Sequence, residues 1–179
     1  MSRFISVNKK FAFLSGLFIG NGWTICDGCL VGFAMPTKKI NILKDIDNMM
    51  FDIFGIRGHY RPNKRNTCCQ LIFYSKVICM LFHRLFGDKA VNKHIPDILI
   101  TNDGDLTREI LRGLMYTDGH LISNENKITY SSTSYNLINQ FILLMASIGY
   151  KFNISKRVHK KHSNWMDEYK ANISGRGLS

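Results

Sequence analysis

LSGLFIGNG, Leu14 to Gly22, returns half a chain later as LRGLMYTDG, Leu111 to Gly119. Both copies read as an apolar helix that ends on one polar residue and a glycine, Asn21-Gly22 in the first and Asp118-Gly119 in the second. In the first copy Ala12, Gly16 and Gly20 recur every four residues, so they fall along one side of the helix and leave almost no side chain there. Gly113 and Thr117 occupy the corresponding places in the second. A glycine inside a helix costs about 1 kcal/mol against alanine, and two matching ones point to a close helix-helix contact that offsets the loss. Such packing brings Asn21 beside Asp118 at the junction of two related halves. A carboxylate at a helix C-terminus meets the negative end of the dipole, so Asp118 stands where a nearby cation would relieve it.

The rest of the chain divides around these helices. A helix over Phe11–Gly20 leads into a hairpin, Trp23 to Phe33, turning at Asp27-Gly28. Apolar positions at helical spacing predict a helix over Ile40–Phe54, stopped by Gly55. Strands over Arg57–Arg65 and Cys68–Tyr74 and a helix from Ser75 to Phe86 complete the first copy. Asn92 to Asp105, with Pro96 and an Asn-Asp-Gly-Asp cluster, reads as a linker. A helix over Leu106–Thr117, strands near His120–Ser123 and Ile128–Ser131, a helix Ser134–Ile148 and strands Lys151–His159 and Glu168–Ile173 repeat the order. The expected organisation is a first half over residues 1–91, a linker over 92–105 and a second half over 106–179. With the sequence ending at SGRGLS, the closing helix of the second half is expected to be missing or very short.

At 179 residues and 45% hydrophobic, the chain can bury a sizeable core. Its net charge of +11 favours a polyanionic partner such as nucleic acid or an anionic membrane surface. No apolar run is long enough to span a membrane, and MSRFISVNKKFAF lacks a secretory cleavage site. Five cysteines fit reduced thiols better than a disulfide framework, so an intracellular, non-secreted protein is expected, in a cytoplasm or an organelle. Cys26 and Cys29 form a CxxC, but the adjacent Cys68 and Cys69 make a poor second pair for zinc, and small apolar strand residues are the simpler reading. Trp23, just past the first motif, reads as core.

Strand parity gives the partner. In Lys151 to Lys161 the odd positions Lys151, Asn153, Ser155, Arg157, His159 and Lys161 share one outward face, while Phe152, Ile154 and Val158 share the other, which is expected to enter the core. In the first half Arg57, His59, Arg61, Asn63 and Arg65 also share a parity. Matching ribbons of groups that bond phosphates and base edges point to DNA in the major groove. Lys39, Lys44, Lys64, Lys156, Lys160 and Lys161 are candidates for phosphate contacts or for stabilising charge near a scissile bond.

These motifs resemble the LAGLIDADG, or dodecapeptide, homing endonucleases in their two-motif single-chain form. The resemblance extends to KHIPDILI (93–100), similar to the linker of intein-type members, to YSSTSYNLINQFILLMASIGY (130–150) and to YKANISG (169–175). It implies an α+β fold of two pseudo-symmetric αββαββα halves, with antiparallel, saddle-shaped sheets, packed through the motif helices into a monomer that straddles double-stranded DNA. It also implies Mg²⁺ or another divalent cation held by the last residue of each motif helix, with Gly20 and Thr117 beside those residues, and one strand cut at each site. Asp118 matches the acid of the second motif. Asn21 does not match the first, because an amide oxygen is a poor ligand for a hard cation. Asp27, at a hairpin tip, points away from the helix end. Lys64 and Lys156 are the choices for the basic residue near each centre. Impaired or strand-nicking cleavage is one consequence; an inactive DNA-binding protein or an RNA-binding intron maturase is the alternative. Protein-splicing segments flanking the chain would fit the intein-type likeness.

Overall fold

A computed structural model describes residues 4–27, 29–65, 67–122, 127–157 and 167–174. The first half runs α1 (Lys9–Asn21), β1 (Gly22–Ile25), β2 (Leu30–Pro36), α2 (Ile40–Phe54), β3 (His59–Pro62), β4 (Cys68–Tyr74) and α3 (Lys76–Phe86). After a single turn, α4 (Lys89–Asn92), the second half runs α5 (Gly104–Asp118), β5 (Gly119–Ile122), β6 (Lys127–Ser132), α6 (Tyr135–Ser147), β7 (Asn153–Arg157) and β8 (Glu168–Ser174). The two antiparallel sheets have the same order, β1-β2-β4-β3 and β5-β6-β8-β7. A helix closing the second half would fall on residues 175–179, outside the described residues.

Local chemistry sets the boundaries. Asn8, Ser75, Asp103 and Ser134 cap α1, α3, α5 and α6 by accepting backbone N–H groups that have no partner within the helix. Gly55 and Gly87, at φ 71° and 78°, end α2 and α3. The register Ile25↔Leu30 sets Cys26 across from Cys29, whose N–H donates to the Cys26 carbonyl at 3.1 Å, so the hairpin closes between these two residues; Gly28 of the expected turn lies outside the described residues.

The core is formed by the helix-facing rows of both sheets. Val31, Phe33, Met35, Leu71 and Phe73 in the first half, and Tyr130 and Ala171 in the second, are buried with the helices. Between the sheets α1 crosses α5. A Cβ on Gly16 would meet the Ile110 carbonyl oxygen at 2.3 Å, and one on Gly113 would meet the Phe13 oxygen at 2.5 Å. Backbone touches backbone here, as the repeated glycines predicted, and Ala12 is fully buried beside them. Gly20 lies against the Thr117 side chain, so the two helix ends carrying Asn21 and Asp118 arrive together.

The stretch read as a linker is more ordered than its composition suggested. Ile95 and Leu99 enter the core, and the Ile95 backbone exchanges two hydrogen bonds of 2.8 Å with the Gln140 side chain on α6. Lys93 is buried too, and Ser134 Oγ donates to its carbonyl at 2.7 Å.

Candidate functional site

Where α1 and α5 end, a cleft of about 950 Å³ opens between the halves, lined among others by Gly20, Trp23, Lys93, Asp118, Ser131 and Arg157. Asp118 sits on the last turn of α5. The protein around it strips water from its carboxyl and raises it above the usual carboxylate range, with Lys39 opposing part of the shift. Lys39 is held there by donating to the Tyr116 carbonyl at 2.9 Å, with its ammonium 4.7 Å from the Tyr116 ring centre. Asn21 has no such setting. Its side-chain amide donates to the Met35 sulfur at 3.3 Å and carries no charge.

Lys93 is the residue the sequence did not single out. Its ammonium donates to the Phe18 and Gly22 carbonyls, at 3.2 and 3.0 Å, and lies 3.8 Å from the Phe18 ring centre. It therefore caps the C-terminal end of α1 from inside the molecule, and burial pulls it down to about 7. A lysine preceding an apolar run after a helix stop was the available signal, but only the folded path of the linker brings it under α1. Tyr130 Oη and Thr133 Oγ1 are buried with no hydrogen-bond partner among the described residues.

The expected site residues divide into those near the cleft and those elsewhere. Gly20 and Thr117 flank it, but Thr117 Oγ1 donates to the Leu114 carbonyl at 2.8 Å and so serves its own helix. Lys64 is exposed in the loop between β3 and β4. Lys156 pairs with Tyr169 on the helix-facing row of its sheet, and its ammonium bonds Asp167 at 2.6 Å. Neither lines the cleft; Lys39 stands near Asp118, Lys93 caps α1, and Lys89 and Arg157 also line the cleft.

Parity is kept where the strands are regular and lost at their ends. His59 and Arg61 lie exposed on the face away from the helices, opposite Ile72 and Gln70. Arg57 precedes the strand and is tied to α2, donating to Asp47 at 3.0 Å and Asn48 at 2.8 Å while lying over the Phe51 ring. Asn63 shapes the turn by accepting from the Thr67 and Cys68 N–H groups, and Arg65 is exposed in the same loop. In the second half Asn153, Ser155 and Arg157 occupy the outer face, with Ser155 Oγ accepting from Asn172 at 3.1 Å; Lys151 is exposed just before the strand. Ile154, expected in the core, is 50% exposed, being on the edge strand. His159, Lys160 and Lys161 lie outside the described residues. Trp23 is not core either. It lies on the outer face with its indole flat on Gly32, where a Cβ would meet the ring at 2.3 Å.

Two sheets of identical order, joined through glycine-lined helices whose ends come together at Gly20 and Thr117, are a recognisable architecture, and comparison with known proteins agrees. A family model described as a LAGLIDADG-like domain matches residues 105–178. The homing endonuclease I-DmoI superposes with a TM-score of 0.69 over 95% of this chain and 90% of its own, at 16% identity. The chain has the fold of a two-motif LAGLIDADG protein. I-DmoI has been solved in complex with DNA and Ca, and with DNA and Mn. Full-length WhiA from Thermatoga maritima shares the fold, with a TM-score of 0.63 over 98% of this chain and 54% of its own at 12% identity. Among curated proteins, an uncharacterized protein of Methanocaldococcus jannaschii is 29% identical over 87% of this chain, and a DNA polymerase of Pyrococcus horikoshii 29% over 92%. The chain spans only 19% and 12% of the length of those two relatives. Among the described residues no group of three or more His, Cys, Asp or Glu is placed to hold a metal, and no helix is long and apolar enough to cross a membrane.

Proposed function

We propose that this chain is a site-specific nuclease of double-stranded DNA, of the homing-endonuclease kind, with one hydrolytic centre at Asp118. The second position, Asn21, lacks the carboxylate a second centre would need. The observation that carries this reading is the pairing of the two motif ends: one presents a carboxyl held above its usual range beside Lys39, the other an amide bonded to a sulfur. DNA complexes of I-DmoI, the outer-face polar rows and the +11 charge support the partner.

The donor set suits one hard cation better than two. Among the described residues Asp118 is the carboxylate carried on a motif-helix end, with Asp88 and Glu168 elsewhere on the cleft lining, so a Mg²⁺ ion at that end would depend on it, on backbone oxygen and on a DNA phosphate for its ligands. When bound, such an ion supplies an activated water and neutralises charge on the scissile phosphate. The chain's own groups do the rest. Lys39 places a positive charge beside Asp118, where a phosphate would sit, and Lys93 draws the α1 end and the linker together at the cleft wall. The β-rows hold the duplex in register. Matches to short stretches of much longer proteins support a unit carried as an insert within a host gene, flanked there by splicing segments.

A library of randomised duplexes, incubated with the chain and Mg²⁺ and read by sequencing nicked ends, tests the proposal. Nicks at one sequence, abolished by Asp118→Asn while binding persists, are expected. Binding without any nick at any divalent cation leaves a DNA-binding protein. Tighter binding to structured RNA than to any duplex favours the maturase reading.

A further inference from the structure

Among the described residues the buried side-chain oxygens without a hydrogen-bond partner are Glu109 Oε2, Tyr130 Oη and Thr133 Oγ1. Glu109 is ion-paired to Arg112 at 2.6 Å, and Thr133 lies on the cleft wall. Tyr130 has neither explanation. It is 1% exposed on the helix-facing row of the second sheet, with its ring stacked on that of Phe141, 4.3 Å between centres and 17° between planes. The stack fixes where the hydroxyl points, and a hydroxyl buried without a partner is expensive to keep.

The register shows what lies nearby. Tyr130 stands opposite Gly119, the residue that follows Asp118, so β6 carries the phenol back to the end of α5. The two side chains feel each other: burial, with the Asp118 charge adding to it, holds the phenol well above its usual range. It therefore keeps its proton and stands as a hydrogen-bond donor behind the cleft wall. The first half supplies the comparison at the equivalent place. Gly22, the residue that follows Asn21, stands opposite Phe33. Phe33 is fully buried, edge-on to Phe18 at 5.6 Å and to Phe73 at 6.3 Å. Position and burial match those of Tyr130, but the hydroxyl is gone. The donor thus accompanies the carboxyl, and where an amide stands instead, a hydrocarbon ring faces it.

We infer that Tyr130 is a positioning residue for Asp118: its hydroxyl donates to one bridging water, whose other hydrogen bond goes to the Asp118 carboxylate and fixes that group's orientation. A bridging water serves nearly as well as a direct bond. Carboxylates that hold a cation are commonly oriented in this way by a donor behind them. The inference rests on the nuclease reading above and adds to that centre a residue that does not line the cleft.

The full chain without DNA or cation gives the first test. If the hydroxyl is idle, Tyr130→Phe removes an unpaired polar atom and stabilises the fold; if it holds Asp118, the same change destabilises it. In urea, Tyr130→Phe should raise the unfolding constant about tenfold in the otherwise unaltered chain, and less than about twofold once Asp118→Ala has removed the acceptor. The second test is the Mg²⁺ concentration for half-maximal nicking, which Tyr130→Phe should raise about tenfold while cation-free DNA binding stays the same. A gain in stability from Tyr130→Phe, an equal loss with and without the Asp118 carboxylate, or a coupled loss that leaves the Mg²⁺ dependence unmoved overturns the inference and leaves the nuclease reading standing. A chain that nicks no duplex overturns the nuclease reading, and the coupling in urea then decides by itself whether Tyr130 holds Asp118.

Discussion

The ends of α1 and α5 are two answers to one structural problem. Each helix runs into a strand through a glycine, each presses a glycine into the backbone of the other, and the two ends come together where Gly20 lies against Thr117. Asp118 arrives as an ionisable group short of water, opposed by Lys39; Asn21 arrives as a neutral amide satisfied by Met35. Backbone symmetry is thus enforced by packing, which tolerates almost nothing, whereas the chemistry at the tips is free to diverge. The comparison teaches that the fold of such a chain is read from its glycines and its activity from the residue before them.

The largest expected effect attacks what the halves share. Gly16→Ala or Gly113→Ala puts a methyl against backbone that cannot move aside, and each should cost about 2–4 kcal/mol in urea unfolding. Gly20→Ala meets the Thr117 side chain rather than backbone, its Cβ included at 2.5 Å, and after the gain in helix propensity should cost about 1 kcal/mol. Equal losses at all three would mean that the helix crossing is looser than the backbone contacts indicate.

Lys93, on the segment between the halves, caps the end of α1, and its titration sharpens the contrast. Its folded value is pulled down to about 7, so above that pH the native chain releases a proton that the unfolded chain keeps. Stability should therefore rise with pH between about 7 and 10, with a slope approaching 1.4 kcal/mol per unit. Lys93→Met should flatten that rise while leaving the remaining pH dependence intact. A flat wild-type profile would show Lys93 to be hydrated.

The smallest effect concerns Asp118 itself. Its folded value is raised, so ionisation works against the fold at neutral pH and not below about pH 4, where both states are protonated. Asp118→Asn should raise the melting temperature modestly at pH 7 and lose that advantage in acid. Asn21→Asp should lower it at pH 7. Opposite signs at the two positions confirm that the helix ends share one environment, and a fall in both contradicts it.

Much of this was legible beforehand because it follows from local geometry. The repeated LSGLFIGNG and LRGLMYTDG determined the helix crossing, and the glycines after Phe54 and Phe86 determined two helix ends through their positive φ. The positions that misled depend on neighbours remote in sequence. Arg57 kept the strand parity but was captured by Asp47 and Asn48 on α2. Trp23 looked like core because it is large, yet it covers Gly32 on the outer face. Lys93 is buried only because the linker passes beneath α1, and no periodicity within KHIPDILI encodes that path.

Strand-resolved cleavage of the selected target with Mg²⁺, run on the chain beside Asn21→Asp and Asp118→Asn, tests the central claim most directly. The chain should nick one strand, Asp118→Asn should nick neither, and Asn21→Asp should cut both. Cleavage of both strands at similar rates by the unaltered chain would contradict the account, since Asn21 would then not be the missing half of the chemistry.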